Sequence, residues 1–110
     1  AIAREAGGSI PVLAPSLPGL AACLASCEAV VANDSGPLHL ASLTDTPLVA
    51  LYGPNIPEVS GPWRRTQVTL LQQDLDCRPC SQRGCDYDTM RCMKNITVDE
   101  TYEAIIRYLQ

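Results

Sequence analysis

The chain has no phenylalanine, one tryptophan, four tyrosines and a single histidine in 110 residues. Its eight basic residues are scattered apart from the Arg64-Arg65 pair, and twelve acidic residues outnumber them for a net charge of -4. A basic stripe interleaved with aromatics is therefore missing, and nucleic acid is not an expected partner. No run approaches the ~20 apolar residues that span a bilayer, and no charged-then-apolar leader is present. Membrane contact is expected to be peripheral at most. Without phenylalanine the core must come from Leu, Val, Ile and Ala, which suits a parallel sheet flanked by helices. The length allows one compact domain burying roughly two thirds of its unfolded surface. The first residue is Ala1, inside what reads as the end of an Ala/Glu helix (Ala1 to Ala6), so an N-terminally truncated piece is expected. There is no internal repeat, low-complexity tract or linker.

What is present alternates in short elements with Pro and Gly between them. Ile10-Pro-Val-Leu-Ala14 reads as a strand, and Ser16 as the N-cap of a helix over Leu17 to Ser26. Strand Ala29 to Ala32, helix Leu38 to Leu43 and strand Leu48 to Tyr52 follow, the last an unbroken apolar run of the kind buried on both faces. Asp45 is placed at the helix C-terminal corner, where it tolerates a left-handed conformation better than most residues. Beyond a long loop from Gly53 to Arg65 lies a further strand, Gln67 to Leu71. Thr97-Val-Asp-Glu100 has capping-box spacing and opens a last helix over 98-110, with Tyr102, Ile105, Ile106 and Leu109 expected on one face.

Residues 33 to 40, Asn-Asp-Ser-Gly-Pro-Leu-His-Leu, carry the chemistry. They join an apolar strand to a helix start and hold the only histidine. Asp34 or Ser35 can cap the helix, Gly36 admits close approach of a ligand to the backbone, and Pro37 falls in the first turn, where its missing N–H matters least. The amides of Gly36, Leu38 and His39 are then donors at the positive end of a helix dipole, suited to a phosphate or pyrophosphate. Ordinary capping explains the same residues. The second strand, ending in Gly53-Pro54-Asn55, shifts the balance: one helix between two apolar strands makes a βαβ unit, and both loops emerge at the carboxyl edge where open α/β sheets bind ligands. The loop Gly53 to Gly61 is too poor in Gly and Lys to be a P-loop. Arg64 and Arg65 are in reach of a diphosphate in principle, yet two adjacent loop arginines more often form a solvated surface.

Asp34-Ser-Gly-Pro-Leu-His39-Leu-Ala, followed by Thr46-Pro-Leu-Val-Ala-Leu-Tyr-Gly-Pro54, a Cys-rich segment and a terminal helix, resembles the C-terminal domain of the ADP-heptose:lipopolysaccharide heptosyltransferases, glycosyltransferase family 9. The resemblance runs from about Leu17 to the end. It implies an α/β fold with a Rossmann-like parallel sheet, the C-terminal half of a GT-B type enzyme, in which two halves face each other across a cleft and this half holds the nucleotide-sugar donor. It further implies an ADP-heptose-like donor bound by Asp34, Ser35, Gly36, Pro37, Leu38 and His39, with Gly53 and Pro54 as pocket wall. The lipopolysaccharide core acceptor and the catalytic base would belong to the other half, in the cytoplasm at the inner face of the inner membrane. No cofactor is required for transfer if the helix N-terminus supplies the positive potential. A sugar-nucleotide epimerase on the same scaffold, and a non-enzymatic interaction module folded around a metal, stay open as alternatives.

Cys77-x2-Cys80-x4-Cys85-x6-Cys92 places four thiols in sixteen residues of loop-like sequence. They are enough to surround a tetrahedral zinc, although the paired C-x2-C repeat is lacking. Two disulfides and packed reduced thiols remain as other readings. The resembled family often carries a similar run, which is read here as structural. Cys23 and Cys27, four apart on a helix, are expected in or just under the core.

Overall fold

The computed structural model describes residues 2–63, 66–78, 80, 85 and 90–110. In chain order the elements are α1 Ile2–Glu5, α2 Leu17–Ser26, β1 Val30–Asn33, α3 Gly36–Ala41, β2 Leu48–Tyr52, α4 Pro57–Ser60, β3 Val68–Gln72, α5 Arg91–Lys94 and α6 Val98–Ile106. The three strands form one sheet in the order β1-β2-β3, all parallel. This is the α/β class with helices against a parallel sheet that the sequence implies.

β2 is the spine. Leu48, Val49, Ala50 and Tyr52 are fully buried, so its unbroken apolar run is matched by cover on both faces. On one face Leu48, Ala50 and Tyr52 join Val30 of β1, Leu38 and Ala41 of α3, and the partly buried Leu24 of α2, Val68 and Leu70. On the other, Leu51 shares an open recess of about 400 Å³ with Met93, Ile96, Thr101 and Ile105, and Thr69 bonds to Tyr108 at 2.7 Å between hydroxyls. The period-two alternation of strand side chains divides these residues between the two layers. The buried Thr46 and Tyr52 hydroxyls are paired: Thr46 Oγ1 donates to the Leu24 carbonyl at 2.9 Å, and Tyr52 Oη to the Ser60 carbonyl at 2.9 Å.

Local chemistry sets most of the boundaries. Ser16 caps α2, its Oγ accepting from Gly19 N at 3.3 Å. The capping box at α6 closes in both directions: Glu100 N donates to Thr97 Oγ1 at 3.1 Å, and the Glu100 carboxylate accepts from Thr97 N at 2.8 Å and from the Thr97 hydroxyl at 2.9 Å. β3 starts at Val68 and not at Gln67, because Gln67 adopts φ 54°, outside the extended region.

Several expectations are corrected. Ile10 to Ala14 form no strand; Ile10, Val12 and Leu13 are 52%, 80% and 67% exposed. A strand exists only through a neighbour's hydrogen bonds, and the sheet offers this segment none. The helix expected from Leu38 to Leu43 begins two residues earlier and ends at Ala41, and Asp45 is not left-handed; Met90 and Gln67 are the described non-glycine residues with positive φ. The last helix stops at Ile106. Within it Ala104 is buried and Thr101, Ile105 and Ile106 are half-buried, as is Tyr108 just beyond it, whereas Tyr102 and Leu109 are exposed. The helix lies against β2. Cys27 is exposed at the end of α2, with Cys23 half-buried. Among the described residues no helix is long and apolar enough to cross a membrane.

Leu48→Ala is expected to lower stability by roughly 2–5 kcal/mol in urea unfolding, because the site is sealed on all sides. Val31→Ala, at a position 43% exposed, should cost far less. A second prediction concerns acid. The Thr97 backbone N–H and hydroxyl hold the Glu100 carboxyl below its ordinary value of 4.5. A folded value below the unfolded one contributes stability above 4.5 that is lost as pH falls through the lowered value. Glu100→Gln should flatten that acid limb in a pH series of denaturant unfolding, leaving its shape above 4.5 unchanged.

Candidate functional site

Parallel pairing brings the ends of β1, β2 and β3 to one edge of the sheet, and the polar residues just beyond them meet there. Asp34 follows β1 and stays tied to the sheet through its N–H, which donates to the Leu51 carbonyl at 3.1 Å. Its side chain is 13% exposed. One carboxylate oxygen, Oδ2, accepts from Asn55 Nδ2 in the loop after β2. The other, Oδ1, lies 3.8 Å from His39 Nε2, and that imidazole is 48% exposed. A nearly buried carboxylate therefore stands behind an imidazole that reaches solvent.

The turn between them departs in detail from simple capping. Ser35 is the N-cap of α3 in extended conformation, yet its hydroxyl donates back to the Asn33 carbonyl at 3.1 Å and caps no amide. Asp34 is occupied by Asn55 and does not cap either. Of the three amides expected to be free, His39 N is spent inside the helix on the Ser35 carbonyl at 3.3 Å. Gly36 and Leu38 precede that first bond and belong to the turn whose N–H groups have no intrahelical acceptor. Leu38 offers backbone alone, since its side chain is in the core. Gly36 has no positive φ, and a Cβ built on it meets nothing within 4 Å. Beside Gly36, Pro37 and His39, between α2 and α3, runs an apolar groove of about 550 Å³ closed at one side by Leu17, Leu43 and Trp63.

The loop after β2 is held tightly. Gly53 is buried, and a Cβ there would lie 2.6 Å from Met93 Sδ and 3.4 Å from Cys92 Sγ, so any larger residue would force the Met93 side chain to shift. The Pro54 carbonyl accepts from Cys80 N at 3.2 Å. Gln72, the last residue of β3, donates through Nε2 to the Gly53 carbonyl at 3.2 Å and to the Asn55 carbonyl at 2.8 Å. Sequence reasoning did not single out Asn55 or Gln72. Their only signal is position, each at the carboxyl end of a strand on the edge that Asp34 also occupies.

Cys23, Cys27, Cys77 and Cys92 carry free thiols. Cys77 lies 4.0 Å from Arg91 Nη2, a nitrogen that also bonds Asp76 at 3.1 Å; Cys85 Sγ accepts from Met90 N at 3.4 Å; and Cys92 packs on Gly53. Among the described residues no three His, Cys, Asp or Glu side chains are grouped to hold a metal ion. Arg64 and Arg65, and residues 79, 81–84 and 86–89 of the Cys-rich segment, lie outside the described residues.

The fold and site together define an α/β protein whose polar residues converge at the carboxyl edge of a parallel sheet. The chain belongs to glycosyltransferase family 9 (heptosyltransferase), whose model matches residues 4–91. It is 33% identical over 82 residues to lipooligosaccharide heptosyltransferase 2 of Campylobacter jejuni, an overlap covering 74% of this chain and 26% of that protein. Lipopolysaccharide heptosyltransferase 1 of Pseudomonas aeruginosa is 43% identical over 72 residues, covering 66% of this chain and 20% of its own length. Lipopolysaccharide heptosyltransferase 2 of Salmonella typhimurium is 54% identical over 39 residues, 36% of this chain and 11% of the relative. The chain thus spans about a quarter of the length of the Campylobacter relative. No solved structure gives a significant match.

Gly53→Ala tests the packing of the Cys-rich segment on β2. The added methyl must displace Met93 and should cost roughly 1–3 kcal/mol in urea unfolding, with Cys92 reacting faster with a thiol reagent in the folded chain.

Proposed function

We propose that the chain is the donor-binding part of a heptosyltransferase, taking an ADP-heptose-like nucleotide-diphosphate sugar whose heptose passes to a lipopolysaccharide core acceptor held by the rest of a longer protein. The observation that carries this reading is the opening at Gly36 beside His39. Glycine costs helix propensity relative to alanine, and neither φ nor crowding demands it at this position. Space kept clear at a first-turn amide, next to a solvent-reaching imidazole, suits a ligand that approaches the backbone itself. Family membership and the relatives named heptosyltransferases support the same conclusion.

In this reading the diphosphate meets the amides of Gly36 and Leu38, the Ser35 hydroxyl and His39, with Pro37 shaping the turn. When the bond between the sugar and the β-phosphate breaks, negative charge grows on the leaving diphosphate, and donors already aimed there stabilise it without reorganisation. Asp34 orders the turn and orients His39, while Gly53 and Pro54 form the wall behind. The acceptor and the base that activates its hydroxyl come from outside these residues, in the cytoplasm at the inner face of the inner membrane.

Calorimetry and amide NMR with ADP test this. Binding is expected to perturb the Gly36 to His39 amides, and Gly36→Ala should weaken it about tenfold or more while leaving stability unchanged or raised by about 0.4–1 kcal/mol. Wild-type amides that stay still at saturating ADP, or Gly36→Ala binding as well as wild type, would defeat the reading.

A further inference from the structure

We infer that Asn55, held in turn by Gln72, is the positioning residue of the Asp34–His39 pair. Two polar groups beside the proposed diphosphate site are thus set by residues from the ends of β2 and β3, outside the Asp34-to-His39 turn. The inference deepens the donor-site reading, and its ADP readout rests on that reading; its spectroscopic readout does not.

The argument begins with the carboxylate. The terminal torsion of an aspartate is broad and roughly two-fold, so an unanchored Asp34 presents either oxygen, at varying tilt, to His39. Asn55 Nδ2 occupies Oδ2. Only Oδ1 is then left to face His39 Nε2, at 3.8 Å, and the carboxylate plane is fixed. At 13% side-chain exposure, water is a poor substitute for the amide, and losing it leaves a largely buried acceptor underbonded.

Asn55 can anchor only if it is itself immobile, and its backbone is held from two directions. Gln72 Nε2 donates to the carbonyls of Gly53 and Asn55, at 3.2 and 2.8 Å, clamping the loop to the end of β3. From the other side Cys80 N bonds the Pro54 carbonyl at 3.2 Å, and Met93 and Cys92 close over Gly53. The linkage Gln72–Asn55–Asp34–His39 thus crosses the carboxyl edge of all three strands. Each of its links joins residues brought together by the sheet, apart from the turn-local Asp34–His39 contact. Supporting residues of this kind hold a binding group in one geometry and commonly affect affinity without touching the ligand.

His39 is the only histidine in the chain, so its ring resonances can be read in the intact protein without assignment ambiguity. Asn55→Asp keeps the shape, removes the donor and sets a second carboxylate beside Asp34; Gln72→Ala loosens the loop without adding charge and leaves Asn55 in place. Both are expected to shift the His39 ring nitrogen and Hε1 resonances in the unliganded chain, with circular dichroism unchanged, and to weaken ADP binding, by roughly tenfold for Asn55→Asp and less for Gln72→Ala. The double exchange Asp34→Asn with Asn55→Asp restores an amide–carboxylate pair but faces His39 with an amide. It should regain thermal stability relative to Asn55→Asp without regaining the His39 signature or the affinity, a split that a purely structural pair would not give. If Asn55→Asp unfolds the chain, Gln72→Ala carries the same readout. His39 resonances at their wild-type positions in a folded variant would overturn the inference, whatever happens to ADP. Shifted resonances in a chain whose wild type binds no ADP would uphold the positioning role and defeat the donor-site reading alone.

Discussion

The parallel register of β2 between β1 and β3 is the constraint on which everything else depends. Val30 to Asn33 pair with Leu48 to Leu51, and Leu48 to Tyr52 pair with Val68 to Gln72. Strands running in one direction, in step, deliver Asp34, Gly53-Pro54-Asn55 and Gln72 to the same edge at the same height. Had β3 run antiparallel, Gln72 would lie at the opposite edge and the loop holding Asn55 would lose its clamp. The register is enforced by burial. A one-residue slip of β2 would exchange Leu48, Ala50 and Tyr52 for Val49 and Leu51 against α2 and α3. The tyrosine hydroxyl would then be turned away from the Ser60 carbonyl it now meets.

What the sequence made legible was whatever is decided within a few residues. β2 was bounded to the residue, because an unbroken apolar pentapeptide between Pro47 and Gly53 has few other conformations. Ser16 and the Thr97–Glu100 box announced their helices because capping is a contact across three positions. The turn at 33 to 40 was visible for the same reason. The misses are of another kind. Ile10 to Ala14 has a strand's composition and no partner, and partnership is a property of the whole sheet. On α6, Ile105 and Ile106 are half-buried as expected, but Tyr102 and Leu109 are exposed, and a pattern of large apolar residues hides the small buried Ala104. The bonds of Asn55 and Gln72 were invisible, though Asn55 itself lay in the edge loop already noted, because they reach back 21 and 17 positions along the chain, and no local pattern encodes such a distance.

The Cys-rich segment is explained by what it leans on. Four thiols in sixteen residues suggest a metal when only spacing is considered; in space Cys77 faces Arg91, Cys85 accepts from the Met90 amide and Cys92 packs on Gly53. Cys92 and Met93 pack on Gly53, and the Cys80 backbone N–H bonds the Pro54 carbonyl. Free thiols behave as small apolar groups with weak hydrogen-bonding ability. That suits a buttress which must fill space against a glycine and still accept an N–H. The segment's contribution to the site is therefore indirect, through the rigidity of the loop that carries Asn55.

Gly36 and Gly53 show how one residue type answers two different demands. Neither needs a left-handed backbone, so conformational freedom explains neither. Gly53 is glycine because the protein itself fills the space, with Met93 sulfur at 2.6 Å from where a methyl carbon would be. Gly36 has the opposite environment, with nothing within 4 Å, in a helix where alanine would be the better former. A packing constraint explains the first completely and leaves the second without an internal cause. In the proposed reading that cause is a ligand that approaches the Gly36 backbone. Its chemistry is set by its neighbours: amide donors, a hydroxyl and an imidazole backed by a fixed carboxylate, which together favour an anion with several acceptor oxygens.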